Sequence, residues 1–192
     1  MKSPTAQPYS TLFTNLIQKK DLMPLSTGTP DETIVNVLKK TIYEQVFGFI
    51  KVSDKTAARL CLAGLWLLYD HLDECHKIAQ SIETKEGSYW HAIMHRREED
   101  FSNSKYWFRQ VGDHPIFSVL FEKLKKLSAS SVQEQSTTFL REQKRWDPFA
   151  FVDLCESAVN THTPLENLCR QIQQVEWQLL FDYCYNKAVG RQ

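Results

Sequence analysis

The sequence predicts an all-α protein, a compact single-domain bundle of about seven or eight helices with no significant sheet. Three observations predict it. Apolar residues recur at three- and four-residue spacings through most of the chain. No stretch sustains the period-two alternation that a half-buried strand needs. Helix starts are written repeatedly in the same chemistry, a capping Thr or Asp followed by Pro, as in Thr29-Pro30-Asp31-Glu32, Asp147-Pro148 and Thr163-Pro164-Leu165-Glu166. A chain of 192 residues is long enough to bury a core and short for two domains. Residues 1–28 read as an N-terminal arm with a short helix, and 29–192 as a single helical domain.

Taken in order, Ser10 is placed to cap a short helix through Leu12, Phe13, Leu16 and Ile17. The cap at Thr29 opens a helix to about Phe47, with Ile34, Val37 or Leu38, Ile42 and Val46 as its inner stripe and Gly48 as its stop. Ser53 or Asp54 starts the next, whose stripe Cys61, Leu65, Leu68, Leu72, Cys75, Ala79 runs as one helix. The neighbouring stripe, Leu62, Trp66, Tyr69, Asp73, His76, Gln80, begins apolar and turns polar, which places Asp73 and His76 where this helix leaves the core.

Thr84 or Ser88 caps a central helix, and Gly87 allows close backbone approach at its start. Ser102 or Asn103 caps a helix carrying Tyr106, Trp107 and Phe108 that Gly112 ends. Asp113-His114-Pro115 opens a helix with Phe117, Leu120, Phe121 and Leu124 inward, and Ser128 to Ser131 reads as a polar linker. Ser131 with Glu134 forms a capping box for a helix to about Arg145. The last two helices start at Asp147-Pro148 and Thr163-Pro164, the second running to about Val189 before Gly190. The expected core includes Leu65, Leu68, Leu72, Ile93, Phe117, Leu120, Val152, Leu168, Ile172 and Leu179.

Lys plus Arg and Asp plus Glu each number 23, so no global field attracts nucleic acid or an anionic membrane, and neither is expected as a partner. The longest apolar run, Leu60 to Tyr69, is far shorter than the ~20 residues of a membrane helix, and the N-terminus carries no signal-type apolar run. A soluble, cytoplasmic protein is expected. Five cysteines without a C-x-x-C pair, each among apolar neighbours, read as reduced core thiols. No P-loop, G-x-S-x-G elbow or Rossmann glycine pattern is present.

The chemistry gathers between Asp70 and His114. His91, His95 and Glu98 are spaced four and three residues apart and share one helix face, with His76 one turn after Asp73 on the preceding helix. Two imidazoles and a carboxylate on one face, with a third imidazole from another helix, form a donor set for a divalent cation such as Zn²⁺ or Fe²⁺. His76, His91, His95 and Glu98 are therefore the candidate metal ligands. Asp73 and Glu83 are candidates for a general base, Glu83 lying with Glu86 in the loop before the helix. Arg96 and Arg109, interleaved with Trp90 and Trp107, are candidates for holding an anionic or aromatic small-molecule ligand. Glu176 sits at the edge of the last helix's apolar stripe, where a carboxylate needs a partner such as Arg96, Arg97, Arg109 or a metal. Two functional classes follow: a metal-dependent, hydrolase-like enzyme or small-ligand binder, and a non-enzymatic interaction protein whose His/Glu/Arg cluster is a structural polar network.

Overall fold

A computed structural model describes residues 9–18, 21–40, 47, 50–130 and 143–191. Nine α-helices and no strand occur among these residues: α1 Thr11–Ile17, α2 Glu32–Lys40, α3 Lys55–Leu68, α4 Leu72–Ala79, α5 Lys85–Arg97, α6 Phe101–Val111, α7 Ile116–Ser130, α8 Pro148–Ala158 and α9 Pro164–Ala188. The all-α class read from the sequence is the observed one. The expected helix over Ser131 to Glu142, and the end of the helix that starts near Thr29, lie outside the described residues.

Most helices begin where side-chain chemistry satisfies their first amides. Ser10, Asp54, Thr84, Asp147 and Thr163 each accept a hydrogen bond from a backbone N–H in the first turn. Two caps differ from expectation by two or three residues. Asp31 rather than Thr29 bonds the start of α2, accepting from Thr33 N at 3.0 Å. Asp100 rather than Ser102 or Asn103 caps α6, accepting from Asn103 N at 3.1 Å. In both places a carboxylate close to the expected cap reaches the free amides and adds charge that favours a helix N-terminus.

The stripe from Cys61 to Ala79 is broken in the structure. Asp70 adopts φ +65°, separating α3 from α4, and so adds a helix to the expected number. The apolar stripe stays in register across the turn, which is why spacing alone does not reveal it. The break is held by Arg97 of α5, whose guanidinium pairs with the Asp70 carboxylate and donates to Leu67 O at 2.9 Å and Ser26 O at 3.2 Å. Gly28 closes over the same carboxylate: a Cβ there would meet the Asp70 Cγ at 2.6 Å.

Helix α5 is the centre of the molecule. It packs against α3, α4 and α6, and every residue from Glu86 to Arg97 is buried. Helix α9 spans 25 residues, lies across α3, α7 and α8, and is pinned by Trp177 Nε1, which donates to Gly64 O at 2.8 Å. Phe13 of α1 is buried against Phe47, Phe181 and Tyr185, and the Tyr9 hydroxyl donates to Asp182. The expected core is buried except Leu168, which is half-buried while Cys169 takes the inner position. All five cysteines are free and buried. No helix among the described residues is long and apolar enough to cross a membrane.

Gly87 fixes how α4 meets α5. A Cβ at this position would overlap the backbone carbonyl of Ile82 in the preceding turn, so the turn and the helix can approach only with hydrogen there. Gly87→Ala is expected to destabilise the protein by about 1–3 kcal/mol, because the colliding atom is backbone and cannot rotate away. Urea unfolding measures this directly. A midpoint equal to that of the parent would mean the α4–α5 turn yields without strain.

Candidate metal centre

A fully buried helix is ordinarily apolar all round, whereas α5 carries Glu86, His91, His95, Arg96 and Arg97 in its buried stretch. Such groups need partners. Glu86 receives Lys187 Nζ at 3.2 Å. Arg96 donates to Glu176 Oε2 at 2.6 Å, and Tyr89 donates to Glu176 Oε1 at 2.9 Å, with all three side chains inside the protein. The Arg96 guanidinium also lies 4.6 Å from the centre of the Phe151 ring. Arg97 is committed to Asp70. Burial, and then the Glu176 charge, hold the Tyr89 hydroxyl well above its ordinary value. Adjacent arginines on a helix point to different sides, and these two carry their charge to opposite neighbours, α9 and the α3–α4 turn.

His91 is the exception. It is 2% exposed, and neither ring nitrogen has a hydrogen-bond partner. A neutral imidazole buried in this state leaves one donor and one acceptor unsatisfied. His76 of α4 and His95 of α5 stand beside it, and one ring nitrogen from each of the three lies within 4.8 Å of the others. The His91 and His95 rings are stacked at 4.8 Å, as expected one turn apart, and His76 approaches them from α4 with ring centres 4.6 and 5.3 Å away. His76 is half-buried, so the cluster reaches solvent on the α4 side. Trp107 of α6 stacks on His91 with ring centres 3.9 Å apart; it covers the ring face and leaves the ring edge, where the nitrogens are.

The electrostatics favour neutral imidazoles. Burial, followed by the neighbouring His95 and His76, pushes His91 down to about 3. His95 is lowered by burial too, against the opposing pull of Glu98. Glu98 Oε2 stands 3.2 Å from His95 Nδ1 and Asp100 Oδ2 stands 4.0 Å from the same atom. These are ion-pair distances without an aligned hydrogen bond, so His95 Nδ1, like both His91 nitrogens, is buried without a hydrogen-bond partner.

The structure brings together His76, His91 and His95, with Glu98 against His95 and Trp107 against His91. The other sequence-predicted residues are distributed elsewhere. Asp73 is exposed and lines a small cleft with Thr27, Pro30, Asp70, His71 and Glu98. Glu83 is exposed in the turn before α5. Trp90 is buried between helices, 6.3 Å from Trp177, with Gly64 making room for its ring. Arg96 is enclosed with Glu176, and Arg109 lies in the wall of a separate cleft beside α7. Asp70 and Asp100 are the polar residues that the sequence reading leaves without these roles. Asp100 follows His95 by five residues, a spacing that meets only because the chain turns sharply at Glu99, which has φ +61°.

These donors fit an ion that takes nitrogen ligands. The nitrogens around one tetrahedral Zn²⁺ stand ~3.3 Å apart, given Zn–N distances of about 2.0–2.1 Å, and the histidine nitrogens lie within 4.8 Å of one another. Comparison with family models, curated proteins and solved structures finds no match.

Proposed function

We propose that the protein binds one divalent transition-metal ion, Zn²⁺ or Fe²⁺, through His76, His91 and His95, and that the centre serves hydrolase-like chemistry or the binding of a small-molecule ligand. The observation that carries this reading is His91: an imidazole enclosed by protein, with both nitrogens unpartnered and two further imidazoles beside it. His76, His91 and His95 would hold the ion, and the chemistry it would supply is acidification of a water or polarisation of a substrate oxygen. His95 would supply one ring nitrogen to the cluster, with the Glu98 carboxylate 3.2 Å from its Nδ1. Trp107 keeps the His91 ring in plane and shields it from bulk water. Glu98, whose carboxylate stands 3.2 Å from His95 Nδ1, is a carboxylate placed to exchange a proton beside the cluster.

Arg96 and Arg97 belong to a different account: they are closed into ion pairs with Glu176 and Asp70, which supports reading that half of the constellation as a structural network.

Elemental analysis of protein purified without a histidine tag tests the metal reading. About one equivalent of metal is expected, falling at least ~10-fold in occupancy in His91→Ala and His95→Ala, since each removes one of three ligands. Glu98→Gln keeps an acceptor for His95 and is expected to weaken binding by about 10-fold or less. Substoichiometric metal that is unchanged in both histidine variants would eliminate the proposal.

A further inference from the structure

A second opening lies away from the histidines, between α6, α7 and the segment that leads into α8. Its volume is about 710 Å³, the size of cavities that enclose a small organic molecule. Aromatic rings form its apolar side: Phe117 and Phe121 from α7 and Phe149 from the first turn of α8, the last only half-buried. Phe121 already holds a cation on its face, with Lys125 Nζ 4.4 Å from the ring centre.

The charge around this cleft is unbalanced. Arg109, Lys144 and Arg145 are exposed in its walls, and none forms an ion pair or hydrogen bond among the described residues. The carboxylates beside them are mostly engaged. Asp147 accepts from Phe149 N at 2.9 Å and Ala150 N at 3.1 Å as the cap of α8, and Glu122 lies 3.9 Å from Lys125. With Lys125 counted, four cations line the cleft against the three carboxylates Asp113, Glu122 and Asp147, an excess of one positive charge beside an aromatic wall. Guanidinium groups bind carboxylates and sulfonates through paired N–H donors, and rings prefer to bury a face against other rings.

We propose that this cleft binds a flat aromatic anion, with the ring system against Phe117, Phe121 and Phe149 and the anionic group held by Arg109, Lys144 and Arg145. The site shares no residue with the histidine cluster and does not depend on a metal there.

The probe is 2-naphthoate, compared with 2-naphthalenemethanol, which has the same rings and no charge. Titration calorimetry and chemical-shift mapping are run on the full chain. Saturable binding of naphthoate at least ~10-fold tighter than that of the alcohol is expected, with shifts centred on α6, α7 and the start of α8. In an Arg109→Gln, Arg145→Gln double variant the preference for the anion should vanish while weak alcohol binding persists. Phe149→Ala should weaken both compounds. Equal affinity for the two compounds, an anion preference that survives the double arginine change, or absence of saturable binding to a protein with a parental circular-dichroism spectrum would each overturn the proposal. Metal content measured on the same preparations reports separately on the histidine centre.

Discussion

Glu176→Ala is expected to cost about 3–5 kcal/mol of stability, the range for removing one partner of a buried ion pair. The loss exceeds that of the contact itself. Arg96 is 0% exposed, and without Glu176 its charge stays in the interior with only the Gln173 side chain, 3.4 Å away, and the Phe151 ring as polar compensation. The Tyr89 hydroxyl loses its acceptor at the same time. A double-mutant cycle separates these terms: Arg96→Met and Glu176→Gln should each be strongly destabilising alone, whereas the two together should recover part of the loss, because no unpaired charge remains and Tyr89 keeps an acceptor. Urea midpoints for the four proteins measure the coupling. Additive losses would show that the pair does not act as a unit.

The metal-free protein is expected to lose stability as the medium is acidified below about pH 6.5, the ordinary histidine value. His91 is held at about 3 and His114 at about 4, both chiefly by burial. Between those values and 6.5 the unfolded chain takes up a proton at each histidine and the folded chain does not, so stability present above the ordinary value is lost as the pH falls. Each such histidine steepens the dependence by at most ~1.4 kcal/mol per pH unit. Asp182 acts in the opposite sense. Burial holds its carboxyl up to about 6, so its protonated folded form favours folding on the acid side, and that contribution is lost as pH rises through 6. The histidines outnumber this carboxyl, and His95, also lowered by burial, acts in their sense, so the net loss of stability on the acid side persists. His91→Gln should flatten the dependence and Asp182→Asn should steepen it. Denaturation with a chelator present at several pH values checks both signs; a parental slope retained in His91→Gln would remove His91 from the account. Adding Zn²⁺ should raise stability most at neutral pH, where the ligand nitrogens are unprotonated.

The legible parts of this fold are those where local chemistry and global packing coincide. Asp54, Asp147 and Thr163 announce helix starts because a free amide must be satisfied by a residue within three positions. The three-histidine cluster was partly legible for the same reason: His91 and His95 are one helical turn apart, and His76 lies on the polar end of a neighbouring stripe. What sequence alone leaves open is the choice among distant partners. Arg96 and Arg97 have Glu98, Glu99 and Asp100 beside them in the chain, and a local charge tally pairs them there. Both guanidinium groups lie inside instead: Arg96 meets Glu176, a pairing that the position of this carboxylate at the edge of the last helix's apolar stripe suggests, whereas Arg97 meets Asp70, which no local pattern announces. Asp73 and Glu83 illustrate the converse: exposed carboxylates carry no periodic signal that separates solvation from use. The left-handed turn at Asp70 is hidden because Leu68 and Leu72 keep their spacing across it.

That turn governs more than the length of a helix. His76 rides on α4, while His91 and His95 ride on α5, and the direction in which α4 leaves α3 is set by a carboxylate clasped by the last residue of α5. The two ligand-bearing helices thus behave like the arms of a caliper whose hinge is tightened from one of the arms. A lesion at Asp70, outside the imidazole cluster, would register there as a wider gape between His76 and its neighbours, and a screen for weakened metal retention would recover it alongside the histidines themselves.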